Sequence, residues 1–212
     1  MNKVAKNAVW IIGIRVVQAV VAMLINMLTA RYLGPSGFGL ITYASSLVAF
    51  VLPIMQLGLS NVLVQEIVNN PNDEGKILGT SITLSFISSI CCIVGVTAFA
   101  FVANPDEPTT ILVCFLYSLI LIFQAFDYVE YWYQAKLMSK YTSMISLVAY
   151  IVVSIYKIFL LVNGKSVYWF AISNALDYVL ISSGGLLLYR KLGGSKLKFS
   201  IETGRMMFEK SK

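Results

Sequence analysis

Apolar runs long enough to cross a bilayer recur along almost the whole chain, and no other feature restricts the fold so tightly. A helix needs about 20 mostly apolar residues to span the hydrocarbon core. Six segments meet that requirement, at residues 8–32, 37–63, 77–103, 109–133, 141–162 and 166–189. Turn-forming residues separate them: Gly34-Pro35-Ser36-Gly37, the stretch from Asn69 to Asp73, Asn104-Pro105 with Pro108, and Asn163-Gly164. No joint is long enough to hold a soluble domain. Of the 212 residues, 58% are hydrophobic and 12% charged, whereas a soluble domain has about 45–50% and about 25%. A water-soluble fold could not hide that much apolar surface. The reading is an all-α integral membrane six-helix bundle.

The basic residues orient it. Lys3, Lys6, Lys76, Lys136, Lys140, Arg190, Lys191, Lys196 and Lys198 fall on one side of the predicted bundle; Arg31 and Lys165 fall on the other. Lys and Arg accumulate on the cytoplasmic side of short loops, so both termini are expected in the cytoplasm. The same bias accounts for the net charge of +6 without a nucleic-acid partner. Residues 1–190 then form the six-helix lobe. Residues 191–212 form a basic cytoplasmic linker, either lying along membrane lipids or frayed.

Several chemistries are excluded or disfavoured. There is no histidine, which removes most Ser-His and Cys-His nucleophiles and most zinc hydrolase sites. The three cysteines, Cys91, Cys92 and Cys114, lie in apolar runs without metal-ligand spacing or a CxxC. No phosphate-binding GxxxxGK[ST] is present. The carboxylates Asp127 and Asp177 fall at different depths and lack a GxGD motif, so a paired-aspartate protease does not fit. The expectation is a non-enzyme with no cofactor and no metal.

Ionisable residues inside a span cost about 2.5–3.5 kcal/mol on insertion scales and mark function by default. Arg15 sits seven residues into the first span, about 10 Å from its inner end. Gln18, Asn26 and Thr29 share part of its helix surface, a candidate cavity wall. A structural ion pair or snorkelling would also explain Arg15. Asp127 and Glu130 share a face near the inner end of the fourth span, where an Arg15–Asp127 pair is geometrically allowed. Lys157 and Asp177 fall on adjacent antiparallel spans at depths about 6 Å apart, either as a pair or as a separate cavity cation and carboxylate. Pro53 bends the second span, as a hinge or as a static kink. The aromatic group Tyr128, Tyr131, Trp132 and Tyr133 reads as an interfacial anchor.

One stretch carries a resemblance. Residues 29–39 read TARYLGPSGFG, followed by Pro53 and by Gln56-Leu57-Gly58-Leu59; later, residues 131–138 read YWYQAKLM. These segments resemble the polysaccharide biosynthesis (oligosaccharide flippase) proteins of the multidrug/oligosaccharidyl-lipid/polysaccharide exporter superfamily. The resemblance implies two six-helix lobes around a cavity that opens alternately to each side. It implies flipping of a polyprenyl-diphosphate-linked oligosaccharide across a bacterial plasma membrane. It implies cavity cations suited to the diphosphate: Arg15 first, with Arg31 and Lys157 weaker matches. Only the N-terminal lobe and linker of such a protein are covered, so a C-terminal lobe or a second copy is the expected partner. An ion-coupled multidrug antiporter of the same superfamily, working through Asp127 and Asp177, is the alternative.

Overall fold

A computed structural model describes residues 3–210, the side chains of 3–11 and of Asn61 excepted. Met1, Asn2, Ser211 and Lys212 lie outside the described residues, as do the side chains of Lys3 and Lys6. The described elements are helical. In chain order they are α1 (Lys3–Met55), α2 (Ser60–Asn69), a 3-10 turn (Pro71–Asp73), α3 (Glu74–Ala103), α4 (Pro108–Ser118) and α5 (Ile120–Gln124). A second 3-10 turn (Ala125–Tyr128), α6 (Val129–Ala135), α7 (Ser139–Val162), α8 (Val167–Lys191) and α9 (Ile201–Lys210) follow. Among the described residues, five helical stretches are long and apolar enough to cross a membrane: Ile12–Met55, Pro71–Ala103, Pro108–Ala135, Ser139–Val162 and Val167–Lys191. Much of their apolar surface points outward, including Val94, Phe101, Val102, Phe159 and Val162. Such a surface suits hydrocarbon, not water.

The first stretch is 44 residues, about 66 Å of helix, or twice the hydrocarbon thickness. It does not run straight. At Gly34 the backbone leaves the helix, with φ 69 and ψ 177, a region open essentially to glycine alone. Pro35 then fixes the next φ and removes a donor. Arg15 and Gln56 line one cavity, whereas a straight helix would hold them about 60 Å apart. The two arms therefore fold back on each other at the Gly34-Pro35 joint.

The second arm does not run to residue 63. Helix α1 passes through Pro53 and ends at Met55; Gln56–Leu59 form a turn in which Leu57 (φ 54) and Gly58 (φ 68) are left-handed. The break thus begins three residues after Pro53. The carbonyl of Gln56 accepts a hydrogen bond from Tyr128 Oη at 2.8 Å. The predicted fourth span is also interrupted, at Leu119 and through the tighter turn Ala125–Tyr128, although it contains neither glycine nor proline between residues 109 and 135. Ser182 of α8 stands at that turn, its hydroxyl 2.9 Å from the carbonyl of Phe123 and 3.3 Å from Asp127 Oδ1.

The densest core lies at the end of the bundle that carries Lys76, Lys136 and Lys196. Trp132 is edge-on to Tyr133 (centroids 5.1 Å apart) and to Tyr189 (4.9 Å). Tyr128, Trp132 and Tyr133 are buried here among Leu59, Leu63, Ile77 and Leu78. They are core residues, not the interfacial anchors expected from sequence. At their centre Glu74, buried, accepts from Trp132 Nε1 (3.1 Å) and Ser195 Oγ (3.1 Å) and pairs with Lys136 Nζ (3.0 Å).

Residues 191–210 pack against this core. After Gly193 and Gly194 the chain runs without regular structure along the start of α3. Lys198 N donates to Gly75 O at 3.0 Å, and Ser200 N donates to Thr80 Oγ1 at 3.0 Å. A Cβ on Gly75 or Gly79 would fall 2.5 Å from a backbone oxygen, that of Lys196 or Lys198. Helix α9 then covers α3 through fully buried Met207, and Lys210 Nζ reaches buried Glu66 at 2.6 Å.

Gly79 is helical, so alanine would by propensity alone stabilise it by about 1 kcal/mol. The backbone approach reverses that sign. Gly79→Ala is expected to release the 195–200 segment, read as faster tryptic cleavage at Lys196 and Lys198. Gly95→Ala, where a Cβ meets nothing within 4 Å, is expected to leave cleavage unchanged. Equal rates in the two variants would show that the close approach does not hold the segment.

Candidate functional site

The first arm of α1 places Arg15, Gln18 and Ala22 on one face, and Asn26 and Thr29 continue it at helical spacing. Across from Arg15 stand Gln56 from the break in the second arm, Gln124 and Asp127 from the interrupted fourth stretch, Glu130 and Tyr131 of α6, Ser146 and Tyr150 of α7, and Asp177 and Tyr178 of α8. Together they enclose a cavity of about 550 Å³. A second chamber of about 360 Å³ adjoins it towards the Gly34 turn, lined by residues that include Asn26, Thr29, Thr42, Lys157 and Asn174. Ala22, Tyr150 and Asp177 border both chambers, which form one furrow along the bundle.

The residues singled out by sequence divide accordingly. Arg15, Asp127 and Asp177 share the first chamber. Lys157 is in the second, where Asp177 is its neighbour in the lining. Arg31 is exposed and lines neither chamber, and Pro53 is exposed on the second arm. Neither expected pair closes. The ion pairs among the described residues are Lys76–Asp73, Lys136–Glu74, Arg205–Glu209 and Lys210–Glu66. Asp127 instead stands against the Ser182 hydroxyl, and Lys157 Nζ donates to Asn174 Oδ1 at 2.8 Å. Asp177 Oδ1 is buried with no hydrogen-bond partner. A charge left without a close counter-charge in a membrane-spanning segment belongs on a wet surface or beside a ligand.

Sequence reading missed Gln56, Gln124, Tyr150 and Asn174. Gln124 could have been found, because it stands three residues before Asp127 on the same face. Gln56 follows a helix end that proline alone did not locate. Tyr150 carries no signal apart from its neighbours. Chemically, the first chamber offers a planar guanidinium to an anion, with carboxylates and amides around it; the second offers hydroxyls, two amides and the Lys157 ammonium, with Asp177 shared between the two.

If the furrow holds water, side chains in it react with polar reagents while outward apolar positions do not, because a thiol in hydrocarbon stays protonated and shielded. With Cys91, Cys92 and Cys114 replaced by alanine, Gln18→Cys and Ser146→Cys are expected to label with a membrane-impermeant thiosulfonate about tenfold or more faster than Val94→Cys. Equal labelling would mean that the furrow is dry.

No curated protein matches the chain, and no solved structure does. The family described as Polysaccharide biosynthesis protein matches residues 4–211, nearly the whole sequence. Taken with its apolar spanning helices and the polar furrow between them, the chain is a multi-pass membrane protein belonging to the polysaccharide biosynthesis protein family.

Proposed function

We propose that this chain is one lobe of a bacterial plasma-membrane flippase that moves a polyprenyl-diphosphate-linked oligosaccharide across the bilayer for cell-surface polysaccharide export. The observation that carries the reading is Arg15, held in a spanning helix, facing a cavity of about 550 Å³ and closed by no ion pair. Maintaining a bare guanidinium there costs insertion energy, and an anionic headgroup is the ligand that offsets it. Family membership supports the polysaccharide pathway.

In this reading the fold-back at Gly34 makes six crossings from five apolar stretches, with both termini and the Lys76, Lys136 and Lys196 end in the cytoplasm. The furrow is closed by a second lobe or a second copy. Exchange between openings uses the weak points of the spanning helices, at Pro53 with Gln56–Leu59 and at Ala125–Tyr128. No step is chemical, and the drive comes from a gradient or from the substrate's own concentration difference. The drug-antiporter reading would shift the essential role from Arg15 to Asp127 and Asp177.

Farnesyl diphosphate, a short prenyl diphosphate, tests the site on the chain held in nanodiscs. A hydrogen-bonded charge contributes about 1.5–3 kcal/mol, so Arg15→Ala is expected to weaken binding roughly 10- to 150-fold. Arg15→Lys keeps the charge but loses the fork and should fall between. Cells whose flippase carries Arg15→Ala are expected to lose surface polysaccharide. Wild-type binding and export in Arg15→Ala would reject the reading. Export of cationic drugs abolished by Asp127→Asn, with Arg15→Ala silent, would install the antiporter instead.

A further inference from the structure

Helix α9 crosses α3 at a definite level, and that level is the edge of the bilayer. α3 ends at Ala103, and the exposed carboxylates Asp106 and Glu107 follow it. Counted back from Ala103, one hydrocarbon thickness of about 30 Å ends close to Leu84. Gly204 of α9 packs at this level: a Cβ on it would stand 3.3 Å from Leu84 Cδ1 and 3.3 Å from Thr80 Cγ2. Just past the crossing, on the same face of α3, Ile87, Cys91 and Val94 are exposed. No residue of α3 lines either chamber of the furrow, so this apolar stripe faces lipid rather than whatever closes the furrow. The part of α3 before Thr80 lies beyond the hydrocarbon, and there it carries the backbone of Lys196 and Lys198.

α9 is asymmetric about that crossing. Gly204, Phe208 and Ile201 fall within about 60° of one another on the helix, beside fully buried Met207; Ile201 is 77% exposed, and Phe208 is exposed too. Glu202 and Glu209 fall about 90° further round. On that other flank Glu202, Thr203 and Met206 border a hollow with Asp73 and Lys76 from the start of α3. One edge of α9 therefore points along α3 towards Ile87, and the other towards the end of α3 that lies beyond the hydrocarbon. Arg205, exposed, stands between the two edges. An apolar edge, then a cation, then carboxylates is the order of hydrocarbon, headgroup and water. Arg190, Lys191, Lys196 and Lys198, all exposed, lie along the segment that leads to α9. We infer that α9 is an in-plane membrane-surface helix: Ile201 and Phe208 sit in the lipid beside α3, and Lys198 and Arg205 gather anionic phospholipid headgroups around them. The segment after α8 is then held on two sides, by Glu74 and Glu66 within the protein and by lipid outside it. This inference needs only that α3 spans a bilayer, and it stands or falls apart from the flippase reading.

The test uses the full chain in nanodiscs, with Cys91, Cys92 and Cys114 replaced by alanine and a bimane label on Ile201→Cys or, on the other flank, on Glu202→Cys. Phosphatidylcholine carrying a doxyl group near its carbonyl reports contact with lipid, and aqueous iodide reports contact with water. The doxyl lipid is expected to quench the Ile201→Cys label about twofold or more above the Glu202→Cys label, and iodide to quench them in the reverse order. Phe208→Cys, on the same edge, replaces Ile201→Cys if that variant does not fold. Doxyl-phosphatidylglycerol at the same mole fraction should quench the Ile201→Cys label about twofold or more above the phosphatidylcholine quencher, because each basic residue near an anionic surface favours such lipids. Lys198→Gln with Arg205→Gln should return that quenching to the phosphatidylcholine level. Equal quenching of the two labelled positions would show that α9 does not lie in the surface. An Ile201→Cys label screened from both lipid and iodide would give the edge to another polypeptide, a second lobe or a second copy, and would overturn the lipid seat. Equal quenching by the two lipids would overturn the selection of anionic headgroups.

Discussion

Inside a bilayer the backbone must satisfy its own polar groups, because hydrocarbon has no water to lend. Two of the breaks in these helices, at Gln56–Leu59 and at Ala125–Tyr128, have a side chain of another element beside them, and residues of both line the furrow. The second arm of α1 ends at Met55, and the carbonyl of Gln56 accepts both from Leu59 N within the turn and from Tyr128 Oη. The fourth stretch tightens at Ala125–Tyr128, and Ser182 comes within reach of the Phe123 carbonyl. In both places the contact comes from a side chain of another element. Tyr128 in turn belongs to the tightened turn itself, so the two breaks support each other. The result puts Gln56, Gln124 and Asp127 at the wall of one cavity, which unbroken helices at those positions would not do.

The same economy anchors the end that carries most of the lysines. Glu74 would be costly if buried alone, yet it gathers Trp132 and Lys136 from the end of α6 and Ser195 from the segment after α8. Removing any one partner leaves the carboxylate less satisfied, so the start of α3, the end of α6 and the segment after α8 are tied to one node. Glu66 with Lys210 repeats the device on α9. Movement of the segment after Lys191 would therefore act on α3 and on α2, which begins at the end of the break at Gln56–Leu59.

Length and turn chemistry made the spans legible. Gly34-Pro35 was readable because no other pair both permits φ 69 with ψ 177 and stops a helix so firmly. The polar face of the first arm was readable because Arg15, Gln18, Asn26 and Thr29 recur at helical spacing in an otherwise apolar run, and all of them border the furrow. The interruption at Leu119 and Ala125–Tyr128 was not readable, since no glycine or proline marks it, and Ser182, which stands beside its second part, lies more than fifty residues away in sequence. The docking of 195–200 on α3 was hidden for a related reason. Gly75 and Gly79 look like ordinary small residues at a helix start until the backbone of Lys196 and Lys198 is seen against them. Arg31 shows the opposite error: a basic residue in the most family-like stretch, placed by its helix on the exposed side of the turn.

Charge along the furrow is graded, and the gradient follows from how the chain avoids insertion cost. Arg15, Asp127 and Glu130 cluster in the chamber nearer the lysine-rich end, where ionised groups are closest to water. Further in, the chain substitutes hydroxyls and an amide whose protons close on their own helices, which carry polarity at little desolvation cost. The exceptions are Lys157 and Asp177. Lys157 is held by Asn174, while Asp177 keeps one oxygen without a hydrogen-bond partner at the junction of the two chambers.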